Sequence, residues 1–138
     1  MPSRTFVTES PEATIELGRQ LAGELSGVVL LIGNLGAGKT TLTKGIVEGR
    51  GAASAEAVSS PTFTLIHQYG GEQPVFHIDL YRLDEGREVE TLGLDDLFSS
   101  GALVLLEWAE RFPELLPAQR TEIHLRTLED DRREIVIA

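Results

Sequence analysis

The chain has 138 residues, 41% of them hydrophobic, and no cysteine. That size admits one domain, and the composition closes disulfide, zinc-thiolate and thiol-nucleophile chemistry. Twelve basic residues stand against 22 acidic ones, a net charge of −10, and no Lys/Arg cluster supplies the basic stripe that a direct grip on a nucleic-acid backbone needs. The N-terminal "MPSRTFVTES" lacks an apolar signal core, and the longest apolar runs, such as "VVLLI", are far too short to span a bilayer. The expectation is one domain over residues 1–138, cytoplasmic and without membrane contact.

"RTFVT" (4–8) reads as a short strand. Ser10-Pro11-Glu12 is a helix start: a hydroxyl N-cap, proline at the first helical position and an acid near the positive end of the dipole. Ala13, Leu17, Leu21 and Leu25 then recur four apart, which predicts a helix closed by Gly27. "VVLLI" (28–32) is a continuous apolar run and predicts a strand buried on both faces. Lys39 to Glu48 follows as a helix with Leu42 and Ile46 inward and Gly49 or Gly51 as its stop. "AASAEAVSSPTF" (52–63) is small and polar, a loop. "TLIHQY" and "PVFHIDLY" flank "GGEQ" and predict a strand pair. Residues 84–98 read as an acidic helix. "ALVLLE" (102–107) is a second buried strand, and "TEIHLRT" and "RREIVIA" predict a second strand pair across an acidic turn. The early alternation of strand and helix implies an α/β layered fold with a parallel centre.

The stretch between the first buried strand and its helix carries the chemistry. Gly33-Asn34-Leu35-Gly36-Ala37-Gly38-Lys39-Thr40 satisfies G-x-x-x-x-G-K-[ST] in the required strand–loop–helix setting. Glycines let backbone N–H groups turn inward on a polyphosphate, and the following helix aims its positive end at the same anion. Lys39 is expected to reach the β- and γ-phosphates and the Thr40 hydroxyl to ligate magnesium. Asp79 and Glu107 each close an apolar strand, so both should emerge at the carboxyl edge of the sheet beside the phosphates. Thr62, in "SSPTF", occupies the place of a γ-phosphate-sensing switch threonine; a simple turn is the competing reading. Trp108 follows Glu107 as core or rim packing. His67, His77 and His124 are scattered along strands without metal-ligand spacing.

The nucleotide class follows by comparison of motifs. Neither N-K-x-D nor D-x-x-G after the second strand is present, since Leu80-Tyr81-Arg82 follow Asp79; this disfavours guanine and leaves ATP. An ATPase module that drives a partner suits the chain best. A small-molecule kinase is disfavoured by the lack of an arginine-bearing lid, and a non-hydrolysing nucleotide scaffold remains the other alternative.

"GNLGAGKTT", "SPTF", "HIDLYRL", "LGLDDLF", "LEWAER", the Leu-Pro at 116–117 and "EIHL", in that order and at these spacings, resemble the TsaE (formerly YjeE) family over nearly the whole chain. The resemblance implies a P-loop NTPase-like three-layer α/β fold with a mainly parallel central sheet and added antiparallel strands. It implies binding and hydrolysis of ATP with Mg2+. The implied partners are the threonylcarbamoyl-transferase subunit TsaD and its dimerising partner TsaB, in modification of tRNA adenosine 37. Contact with tRNA would be indirect, and the protein alone would be a monomer. The family P-loop maps onto Gly33 to Thr41, so Gly33, Asn34, Leu35, Gly36, Ala37, Gly38, Lys39, Thr40 and Thr41 would hold the nucleotide. The magnesium-associated positions match Thr40 and Glu107, the essential aspartate Asp79, the switch-like threonine Thr62 and the Glu-Trp pair Glu107-Trp108. Hydrolysis would reset the transferase rather than transfer the carbamoyl group. One departure is Ala109, where the family often has proline; its loss returns an N–H and frees a φ angle in the loop after Glu107.

Overall fold

The computed structural model describes residues 3–61 and 65–138. In chain order the elements are β1 (Arg4–Thr8), α1 (Pro11–Leu21), β2 (Val28–Ile32), α2 (Lys39–Gly49), β3 (Ile66–Tyr69), β4 (Val75–Asp79), α3 (Gly86–Glu90), α4 (Leu94–Ser99), β5 (Leu103–Glu107), β6 (Thr121–Thr127) and β7 (Arg133–Ile137). The strands form one sheet in the order β1-β7-β6-β2-β5-β4-β3. Its centre, β6-β2-β5-β4, is parallel, and β1, β7 and β3 add antiparallel strands at the two sides. β2 and β5, the two uninterrupted apolar runs, lie side by side in that centre.

Each face of the sheet has its own core. Alternate residues of the central strands, including Val29, Leu31, Leu103, Leu105 and Ile123, pack against Leu17 and Leu21 of α1 and Leu42 and Ile46 of α2. The opposite residues, Val28, Leu30, Ile78, Val104 and Leu106, pack against Val89, Leu94 and Phe112 from the segments around α3, α4 and the turns after β5. The result is three layers, helix–sheet–helix, because a strand buried on both faces must be covered twice.

Local sequence accounts for the start of α1 at the site and for the far end of α2. Ser10 caps α1, its Oγ accepting the Ala13 N–H at 3.1 Å, with Pro11 at the first position. α2 closes when Gly51 N–H donates to Glu48 O at 3.0 Å and Ala52 N–H to Val47 O at 3.1 Å, a pattern that satisfies the last carbonyls of the helix. Two expected boundaries are corrected. α1 stops at Leu21 rather than at Gly27; Gly23 is a poor helix former, and Leu25 is buried from the following loop, which extends the i+4 pattern beyond the helix. The acidic stretch 84–98 is two short helices, α3 and α4, separated around Leu92-Gly93, where Gly93 takes a left-handed conformation that no helix continues through.

Candidate functional site

The carboxyl ends of β2, β4 and β5 meet at one cavity of about 420 Å³. β2 delivers the chain into the loop 33–38, and α2 starts at Lys39 immediately after it. Gly36 and Gly38 have φ of 82° and 104°, the left-handed region that side chains with a Cβ resist. A Cβ on Gly33 would lie 2.6 Å from the Leu125 carbonyl oxygen, so the loop can rise from the sheet here only with glycine. The unpaired N–H groups of the first turn of α2 and the dipole of that helix make the loop a natural anion cradle.

Lys39 is the cation of the cradle. It is 5% exposed; its Nζ donates to Gly33 O at 2.7 Å and sits 3.6 Å from the centroid of the Trp108 ring. Burial lowers its pKa, and the negative charges of Glu107, Glu110 and Asp79 oppose that shift. Trp108 itself has φ of 65°, a sparsely populated conformation for a bulky residue, and its ring meets that of Tyr81 at 5.0 Å between centroids.

The two acids are neighbours by register. Asp79 is the Cα partner of Glu107 across the parallel pair β4 and β5, and each is 3% exposed. Asp79 accepts from Tyr81 N–H at 2.8 Å and from Ser60 Oγ at 3.1 Å. Glu107 Oε2 accepts from Thr40 Oγ1 at 3.4 Å and is paired with His77 Nε2. Behind them, Arg111 Nη2 donates to the carbonyls of Leu80 (2.5 Å), Tyr81 (3.1 Å) and Leu83 (2.5 Å), which ties the chain after Asp79 to the turn after Glu107.

Of the residues singled out in the sequence, Leu35, Gly36, Gly38, Lys39, Thr40, Thr41, Asp79, Glu107 and Trp108 line the cavity. Gly33, Asn34 and Ala37 line a separate cavity behind the loop, beside His124 and Leu125. Thr62 lies outside the described residues. Further parts of the site escape sequence reading, Ser60, Tyr81 and Asp131 of the cavity lining among them. Pro11 and Thr14, from the start of α1, form one wall. Arg133 lies on the rim, donating to Gly36 O at 3.3 Å across 97 residues of chain. His77 is completely buried against Glu107. None of these carries a local signal for the site: Pro11 and Thr14 are brought to the cavity on helix α1, and Arg133 and His77 are brought to Gly36 and Glu107 by strand pairing.

The donor set fits a nucleotide-borne divalent cation rather than a free one. Among the described residues no three His, Cys, Asp or Glu side chains converge as a metal cage. A hydroxyl and one buried carboxylate do face each other in Thr40 and Glu107, and a hard cation such as Mg2+ takes such ligands with phosphate oxygens and water completing its shell.

A family model described as "Threonylcarbamoyl adenosine biosynthesis protein TsaE" matches residues 8–135. The chain is 43% identical over 131 residues to the tRNA threonylcarbamoyladenosine biosynthesis protein TsaE of Bacillus subtilis, covering 93% of this chain and 80% of that protein. It is 37% identical over 124 residues to the Haemophilus influenzae protein of the same name, covering 89% and 77%. Among solved structures, Bacillus subtilis YdiB superposes with a TM-score of 0.79 at 35% identity, over 99% of this chain and 84% of that one.

Proposed function

The chain belongs to the TsaE family, and from that premise we propose that it is a Mg2+-dependent ATPase that serves tRNA threonylcarbamoyladenosine formation by acting on a TsaD–TsaB transferase. The observation that carries the reading is the convergence of Lys39, Thr40, Asp79 and Glu107 on one cavity at the mouth of a glycine loop. In this reading the loop amides and Lys39 hold the β- and γ-phosphates, so that the transferring group is oriented before reaction. Bound Mg2+ would neutralise phosphate charge, held by Thr40 directly and by Glu107 directly or through water. Asp79, fixed by Tyr81 N–H and Ser60, orients the attacking water and takes its proton. The rim residue Arg133 is bonded to the loop carbonyl of Gly36, and hydrolysis by the chain alone is accordingly slow; a partner completes the charge stabilisation. With net charge −10, the chain leaves tRNA contact to those partners.

The test is release of inorganic phosphate from ATP by the purified chain alone and with TsaD and TsaB added. A slow basal rate raised severalfold or more by the pair supports the reading. Phosphate transferred to a small metabolite would replace it with a kinase, and nucleotide binding without turnover in both mixtures would reduce it to a scaffold.

A further inference from the structure

His77 has no part in the chemistry just described, yet among the described residues no polar side chain is more deeply buried. It is 0% exposed, two residues before Asp79 on the same face of β4. On that face it is surrounded by the apolar layer that includes Val75, Leu103 and Leu105. Its Cα partner on β5 is Leu105, whereas Asp79 is opposite Glu107. The ring therefore reaches diagonally, up one step of the neighbouring strand, to meet Glu107 Oε2 through Nε2. Its other nitrogen, Nδ1, has no hydrogen-bond partner among the described residues.

For packing alone this position would be better filled by an apolar side chain, because a buried polar atom with no partner costs stability. What the imidazole adds is a single directed hydrogen bond to a carboxylate of the site. Resting on the reading above, we propose that His77 is a positioning residue: it donates Nε2–H to Oε2 of Glu107 and so fixes the carboxylate that faces Thr40 and a nucleotide-bound divalent cation. The direction follows from the unmet nitrogen. If Nδ1 carried the hydrogen, a buried N–H would have no acceptor, which folded proteins avoid more strictly than an unmet lone pair. The donor is therefore Nε2, and Oε2 is engaged by His77 before any cation arrives. Such outer partners set the orientation of a ligating group and, when removed, weaken metal affinity about tenfold or more.

Three proteins decide it: the full chain, His77→Leu and His77→Gln, in which the amide N–H of glutamine can take the place of Nε2–H. Binding of a fluorescent adenosine diphosphate is titrated at graded Mg2+, and again in EDTA. His77→Leu should fold with thermal stability at or above wild type and bind nucleotide in EDTA as wild type does. It should need about tenfold more Mg2+ to reach the tightened state, and His77→Gln should recover most of that loss. A merely structural role predicts the reverse, lower stability with an unchanged Mg2+ midpoint, and overturns the proposal. So does a loss of affinity that is equal with and without Mg2+. Long-range 15N–1H correlation on the wild-type protein reads the tautomer independently of any variant: Nε2–H is expected, and Nδ1–H overturns the assignment. Wild-type protein that shows no Mg2+ effect at all defeats the ATPase reading itself, and the wild-type titration separates that outcome from failure of His77 alone.

Discussion

The ammonium of Lys39 lies over the indole face of Trp108, 3.6 Å from the ring centroid, while it donates to the Gly33 carbonyl 2.7 Å away. The residue expected to hold phosphate is thus engaged by the aromatic residue that follows the site's glutamate. A polyphosphate that draws Lys39 to itself must disturb this contact.

Trp108 is the chain's only tryptophan, so its emission reports on the site directly. Adding ATP or ADP to wild-type protein should change the emission intensity or maximum in a saturable way. Lys39→Ala should give no saturable change because it should not bind. Calorimetric binding with a flat emission trace in the wild-type protein would show that the contact survives ligation.

The lowered pKa of Lys39 makes stability and affinity move in opposite directions at alkaline pH. Its folded-state pKa lies below the unfolded value, so the unfolded chain binds more protons between the two. The cost of burying the charge is present at neutral pH and is relieved as pH rises through that window. The protonated lysine is also the form that holds phosphate, so nucleotide affinity should fall over the same window. Lys39→Met should flatten the alkaline rise in stability and abolish nucleotide binding, as read by thermal melts and calorimetry at stepped pH.

Asp79 and Glu107 are adjacent by register but differently held, and their amide variants should separate. Asp79→Asn should leave nucleotide binding near the wild-type value and cut turnover by about 100-fold or more, the scale of a lost general base. Glu107→Gln should instead raise the Mg2+ concentration needed for activity by about 10- to 100-fold. Phosphate release measured against Mg2+ for both variants distinguishes the roles, and identical profiles would refute the division.

The helix pair behind the loop has no room to spare. A Cβ on Gly45 of α2 would drive into the carbonyl of Ile15, and one on Gly18 of α1 would lie 2.5 Å from the Leu42 oxygen. Gly45→Ala should therefore cost about 3 kcal/mol or more by overpacking against backbone that cannot yield. Gly23→Ala, with open space at its Cβ, should change stability by less than about 1 kcal/mol. Urea denaturation of the two variants gives the comparison.

Much of this was legible in the residues. β2 and β5 announced themselves because strands covered on both faces need uninterrupted apolar runs. The loop at 33–38 did so because its backbone geometry demands glycine at fixed positions. The carboxyl-edge placement of Asp79 and Glu107 followed from an acid closing an apolar strand. What could not be read was any contact made by pairing distant strands. His77 is a single histidine in an alternating strand, and its role appears only when register places it diagonal to Glu107. Arg133 follows an acidic turn that looks like solvated surface, until β7 sets it beside Gly36. The end of α1 is hidden in the sequence because Leu25, buried from a loop, obeys the same spacing as a helical residue.

The order of the sheet also dictates a timetable. β1 has one partner, β7, with Arg4 opposite Ile137, and β2 sits between β5 and β6, both of which come from the second half of the chain. A nascent polypeptide emerging from the ribosome therefore carries β2 without a neighbour until β5 has been made, and β1 without one until β7 has. Closure of long chain segments has to precede any reward from pairing, so removing the last few residues should strip the first strand as well as the last, and slow assembly with exposed strand edges is the phase in which this protein is most open to aggregation.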